Sequence, residues 1–111
     1  MSLVIDTTSA ELGLLVCVTG EVDVSNASEL REALDAAIET LSVADDRQLD
    51  IDLSEVPYID STGIGVLVGT VHRADDHGIT VAVIRPQRNV ARILGLLGLS
   101  EELGVTDGQA Q

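Results

Sequence analysis

A chain of 111 residues has room for one domain with a full core and little beyond it. Apolar residues make up 45% of it but include no Phe, no Trp and one Tyr, so the core is aliphatic; apolar periodicity along nearly the whole chain argues against disorder. Nineteen acidic residues against six basic ones, all Arg, leave a net charge of −13, which repels nucleic acid and anionic lipid and favours neutral or basic partners.

Leu3-Val4-Ile5 is a short strand candidate with a turn near Ser9-Ala10-Glu11. The run Leu14-Leu15-Val16-Cys17-Val18 has the pattern of a strand covered on both faces, with Cys17 as a small core residue. Gly20-Glu21-Val22-Asp23-Val24 leads into a helix, where Asn26 followed by Glu29 reads as a capping box. Leu30, Ala33, Leu34, Ala37, Ile38 and Leu41 then hold one face over three turns. After a polar connection from Ser42 to Arg47, the alternation of Leu49, Ile51 and Leu53 predicts a half-buried strand.

The turn Ser54 to Ile59 delivers Asp60-Ser61-Thr62-Gly63 to the start of a helix running from about Thr62 to Asp76, with Ile64, Leu67, Val68 and Val71 at helical spacing and Gly78 as its stop. A hydroxyl at that point stands where backbone N–H groups are unpaired; it can cap the helix or act as a switch. Ile79 to Ile84 is the next buried strand, ended by Arg85-Pro86. A last helix begins near Asn89 with Val90, Ile93, Leu94 and Leu97 on one face; Gly98 ends it and Ser100 to Leu103 adds a turn. The order ββαβαβα predicts an α/β domain with a mixed sheet, its first two strands an antiparallel hairpin and the later ones joined by parallel crossovers.

Val56-Pro57-Tyr58-Ile59-Asp60-Ser61-Thr62-Gly63-Ile64-Gly65-Val66-Leu67 resembles the signature of STAS domains, specifically the bacterial anti-sigma factor antagonists. Gly20-Glu21-Val22-Asp23 is similar to that family's segment before its first helix, and Ile84 through Leu99 to its closing strand and helix. The resemblance implies a single STAS domain over residues 1–106, with a four- to five-stranded mixed sheet and helices packed on it, and a loose tail over 107–111. It implies a cytoplasmic, non-enzymatic regulator of sigma-factor-dependent transcription. Its partners would be an anti-sigma factor that is also a serine kinase, and a serine phosphatase that resets it. Carried onto this chain, Ser61 is the phosphoacceptor, with Thr62 the neighbouring alternative. Asp60 is the carboxylate beside it, Asp23 is expected near it, Ser25 and Asn26 are neighbours on the same face, and Gly63 and Gly65 allow a partner to approach.

The same domain type also serves as an accessory subunit of lipid-trafficking ABC transport complexes, binding the ATPase, and some members have been proposed to bind nucleotide. The chain has no phosphate-binding loop and no Lys to serve one, which argues against the latter. His72 and His77 lie five apart, the wrong spacing for a helix-face metal pair, and no nucleophile–base pair is legible, so no metal, cofactor or catalytic residue is expected. No apolar run reaches about 18 residues, the N-terminus lacks the pattern of a signal peptide, and a single cysteine fits a reducing compartment, so no direct membrane insertion is expected. Tyr58 is expected over the end of the sheet with its hydroxyl in water.

Overall fold

Four strands form one sheet in the order β1-β2-β3-β4 in the computed structural model, which describes residues 2–106. They are β1 (Val4–Ala10), β2 (Gly13–Thr19), β3 (Gln48–Glu55) and β4 (Thr80–Ile84), and the helices between and after them are α1 (Ala27–Leu41), α2 (Ser61–Asp76) and α3 (Arg88–Leu96). The expected order ββαβαβα is present. β1 and β2 are an antiparallel hairpin, whereas β2–β3 and β3–β4 are parallel, because α1 and α2 carry the chain back to the same end of the sheet each time. A bridge from Ile84 to Thr106 adds the start of a fifth strand beside β4. The predicted tail, 107–111, lies outside the described residues.

The core follows from strand alternation. Val16 and Val18, Leu49, Ile51 and Leu53, and Val81 and Val83 point to one face and are buried there. Against them α1 sets Leu30, Leu34, Ala37, Ile38 and Leu41, and α2 sets Ile64, Leu67 and Ala74. Burying each Leu or Val of this set is worth about 1.5–3 kcal/mol. The opposite face is open. Leu15 and Cys17 are only half-buried, so β2 is not covered on both faces as its continuous apolar run predicted; the second face meets no helix layer.

Cys17 is therefore no core residue either. It sits between Asp6 and Asp52 on the open face, where burial and then the Asp52 charge push its thiol up. Asp52 is buried on that face because Arg85 covers it: Arg85 Nε donates to Asp52 Oδ2 at 3.1 Å, and a second guanidinium nitrogen donates to the same oxygen. β1 runs five residues past the expected strand end at Ile5, up to the turn, because the ladder with β2 continues to the Ala10–Gly13 pair, although its side chains are mostly exposed and carry no apolar signal.

Three local readings change. Asn26 is the N-cap residue of α1, but its side chain makes no capping bond and turns back into the preceding loop. Glu29 does not complete a capping box, because its carboxylate accepts the Leu3 N–H at 3.0 Å and ties the N-terminus to α1. On α3 only Val90 and Leu94 are buried, while Ile93 and Leu97 are exposed, since nothing lies against the helix on that side. The C-terminus of α2 ends as expected: Gly78 adopts φ +69, and the Ile79 N–H reaches back to the Ala74 carbonyl at 2.9 Å.

Candidate functional site

The site is assembled at the end of the sheet where the parallel strands finish. Beyond β2 the chain runs alongside the β3–α2 connection: the Val22 N–H donates to the Tyr58 carbonyl at 2.9 Å, and the Asp60 N–H donates to the Val22 carbonyl at 3.0 Å. This isolated parallel bridge between Val22 and Ile59, both buried, extends the sheet by one rung. It brings the loop carrying Asp23, Ser25 and Asn26 against the loop carrying Asp60, Ser61 and Thr62.

The helix begins at Ser61, one residue earlier than predicted, because Asp60 caps it. Asp60 is extended (φ −97°, ψ −176°), its Oδ1 accepts the Gly63 N–H at 3.1 Å, and its carbonyl accepts the first intrahelical bond, from the Ile64 N–H at 2.9 Å. Capping by Asp60 relieves Ser61 of that role. Ser61 and Thr62 are both exposed at the first two helical positions, and among the described residues no group hydrogen-bonds either hydroxyl. Their N–H groups point out of the helix end, where the macrodipole favours negative charge.

Asp23 is half-buried and holds a tight turn: its Oδ1 accepts from the Ser25 N–H at 2.9 Å and from the Ser25 hydroxyl at 2.5 Å. Those two bonds, the hydroxyl's first, hold its carboxyl below the usual carboxylate range, so it is anionic at neutral pH. Asn26 is almost wholly buried; its Oδ1 accepts the Asp23 N–H at 3.0 Å and its Nδ2 donates to the Glu21 carbonyl at 2.8 Å. It thus fixes the loop that presents Asp23 and presents no polar group of its own to the surface.

The two glycines divide. Gly63 is buried, and a Cβ there would stand 2.6 Å from Val22 Cγ1 and 2.7 Å from Ile59 Cγ1, so its missing side chain lets α2 sit on the Val22–Ile59 bridge. Gly65 is exposed with nothing within 4 Å of a Cβ, and leaves bare backbone beside Ser61.

Of two apolar residues at this end, Val24 carried no functional signal in the sequence, whereas Tyr58 lies within the matched motif and was expected over the end of the sheet with its hydroxyl in water. Val24 is 77% exposed beside Asp23, and Tyr58 is 48% exposed two residues before Asp60, so each of the two joined loops exposes an apolar side chain. A third feature, Asn89 Nδ2 donating to the Pro57 carbonyl at 2.8 Å, draws the start of α3 to the same end of the molecule. Asn89 and Pro57 are 32 residues apart, which is why local pattern gave no hint of it. His72 lies away from this end and meets Glu102 at 2.9 Å. Among the described residues no group of three His, Cys, Asp or Glu side chains is placed to hold a metal ion, and no helix is long and apolar enough to cross a membrane.

The arrangement is a helix end capped by Asp60 that offers an exposed serine hydroxyl, with the loop of Asp23 and Val24 joined to it through the Val22–Ile59 bridge, on a small α/β domain. The chain belongs to the STAS domain family, whose model matches residues 4–109. It is 30% identical over 108 residues to an anti-sigma-B factor antagonist of Staphylococcus aureus, covering 97% of this chain and 96% of that one. In fold it resembles the crystal structure of an anti-sigma factor antagonist from Mycobacterium paratuberculosis, with a TM-score of 0.82 at 23% identity, over 95% of this chain and 86% of that one. It also resembles the Bacillus cell fate determinant SpoIIAA in its phosphorylated form, with a TM-score of 0.68 at 13% identity, over 96% and 92% of the two chains.

Proposed function

We propose that this chain is an anti-sigma factor antagonist, an interaction module whose binding to an anti-sigma factor is switched by phosphorylation of Ser61. The observation that carries this reading is the division of labour at the start of α2. Asp60 supplies the cap, so the Ser61 hydroxyl is exposed and unengaged. The anti-sigma-B factor antagonist relative supports the partner class, and the phosphorylated form of SpoIIAA supports a covalent switch on this fold.

In the proposed step the partner's kinase activity transfers the γ-phosphoryl group of ATP to Ser61 Oγ. The hydroxyl proton leaves to a base on the kinase, and ADP departs. A phosphatase returns the hydroxyl by hydrolysis, releasing inorganic phosphate. The added group brings about −1.5 to −2 charges. The N–H groups and dipole of α2 favour it, while Asp60 and Asp23 repel it, so the fold need not change. What changes is the surface between Val24 and Tyr58, which gains charge and hydration where an uncharged hydroxyl had been. A partner fitted to the unmodified surface loses its contact.

The test is incubation with the cognate kinase partner and ATP, followed by mapping of the phosphate. Incorporation at Ser61, none in Ser61→Ala, and weakened partner binding by Ser61→Asp are expected. A phosphate on Thr62 alone, or undiminished binding by Ser61→Asp, overturns the mechanism.

A further inference from the structure

The turn that delivers Ser61 to the start of α2 is held from two sides. β3 runs on to Glu55 beside β2, but its ladder with β4 ends at the Asp52–Ile84 pair. Past that point the β2 side still supplies backbone: the Gly20 N–H donates to the Glu55 carbonyl at 3.1 Å, and the Val22 N–H to the Tyr58 carbonyl at 2.9 Å. On the β4 side two side-chain amides take over. Gln87 Nε2 donates to the Ser54 carbonyl at 3.0 Å, and Asn89 Nδ2 donates to the Pro57 carbonyl at 2.8 Å. Their two acceptors flank the bend that the Val56 N–H closes on the Leu53 carbonyl at 3.0 Å.

Both amides stand on fixed backbone. Arg85 leaves β4 with φ +52, a conformation rare for a residue with a side chain, and it persists because its surroundings hold it. Its N–H donates to the Thr106 carbonyl at 2.8 Å and its guanidinium covers Asp52. The other oxygen of Asp52 accepts the Ser54 N–H at 2.8 Å, so Ser54 is fixed through its N–H by Asp52 and through its carbonyl by Gln87. Val90 and Leu94, wholly buried, anchor α3 behind Asn89. Gln87 is the N-cap residue of α3, yet its side chain makes no capping bond there. A capping side chain at that position would stabilise α3; this one serves the turn of another element instead.

Taking Ser61 as the phosphoacceptor, we propose that Gln87 and Asn89 are positioning residues for the switch: from the β4–α3 connection they hold the β3–α2 turn in the conformation that the kinase partner engages. The Asn89 bond lies at the surface, where water can replace it, so its loss costs the fold little. What its loss changes is where the turn stands. Without the two amides a smaller fraction of molecules presents Ser61 as the partner requires, and the apparent affinity falls by that fraction. Complexes that do form have the same geometry, so turnover within them is unchanged.

The test combines amide hydrogen exchange of the full chain alone with steady-state phosphorylation by the cognate kinase partner and ATP. Gln87→Met and Asn89→Leu keep each side chain near its size, add no charge and remove the donor. Ile38→Val, a core change beside the far end of α2, reports what an ordinary loss of stability does. The Val22 and Gly63 N–H groups bond the Tyr58 carbonyl and the Asp60 carboxylate, and in the double variant their exchange is expected to quicken about tenfold beyond any global loss. KM for the chain is expected to rise about tenfold at unchanged kcat. Exchange at Val22 and Gly63 that only matches Ile38→Val, or a KM equal to that of wild type, overturns the proposal. A wild-type chain that takes no phosphate on Ser61 sinks instead the reading on which this rests; the exchange data, which need no partner, tell the two failures apart.

Discussion

The Asp60 N–H and the Val22 carbonyl are joined by a hydrogen bond of 3.0 Å, and that bond decides what surrounds Ser61. It closes the bridge that lays the Asp23 loop against the start of α2, so two segments 38 positions apart in sequence present one surface.

The capping assignment separates Asp60 from Ser61. Asp60→Ala is expected to cost about 1 kcal/mol, the typical loss of an N-cap. Ser61→Ala is expected to stay within about 0.5 kcal/mol of wild type, as for an exposed side chain without partners. Urea denaturation of both variants checks the contrast, and a larger loss for Ser61→Ala would reverse the roles given to the two residues.

The two motif glycines are expected to respond oppositely to a single methyl. Gly63→Ala must push Val22 and Ile59 apart and should cost about 1–3 kcal/mol, as overpacking does. Gly65→Ala meets nothing and should be neutral or stabilise α2 by up to about 1 kcal/mol. Thermal melts of the pair measure this.

Asn26 holds the Asp23 loop from within. Asn26→Ala leaves the Asp23 N–H and the Glu21 carbonyl without those bonds, at an expected cost of about 1–3 kcal/mol. Amide hydrogen exchange should show faster opening at Asp23 and Val22 in that variant, while the exchange of β3 changes only by the global loss.

Acid sensitivity is expected from the open face of the sheet. Burial pushes the Asp52 carboxyl up, but the Arg85 guanidinium and the Ser54 N–H outweigh it and hold the carboxyl below its ordinary value. Because the folded carboxyl titrates below the unfolded value of about 3.9, its contribution is complete above that pH and is lost as pH falls through the folded value. Arg85→Met should destabilise the domain by about 1–2 kcal/mol at pH 7, the half-exposed guanidinium keeping the loss below that of a fully buried pair. The variant should lose less stability than wild type between pH 5 and pH 3, as followed by urea denaturation at each pH.

Much of this molecule is legible from local pattern. The inner face of α1 reads from Leu30 to Leu41, the stop of α2 from Gly78, and β3 from its alternation, since each signal lies within a few residues of the structure it sets. The site motif is legible for the same reason: Asp before Ser-Thr-Gly, after a strand and a turn, marks a helix start. The failures also share a cause. The run Leu14 to Val18 looks two-sided because a strand's own sequence does not record whether a second layer exists. Asn26 and Glu29 have the spacing of a capping box, yet Asn26 turns back to the Asp23 N–H of its own loop, and the Leu3 N–H, brought in by the tertiary fold, claims the Glu29 carboxylate.

By itself, then, the sequence determined the order of elements, the aliphatic core and a hydroxyl at a helix start, because periodicity and capping act over one or two turns of chain. The tertiary structure alone decided that the Asp23 loop lies beside the start of α2. It also decided that Gly63 serves packing and that the outer face of α3 stays bare. Each of these depends on which distant segments meet, and the Val22–Ile59 bridge and the Asn89–Pro57 bond exist only once the sheet has brought those segments to one end.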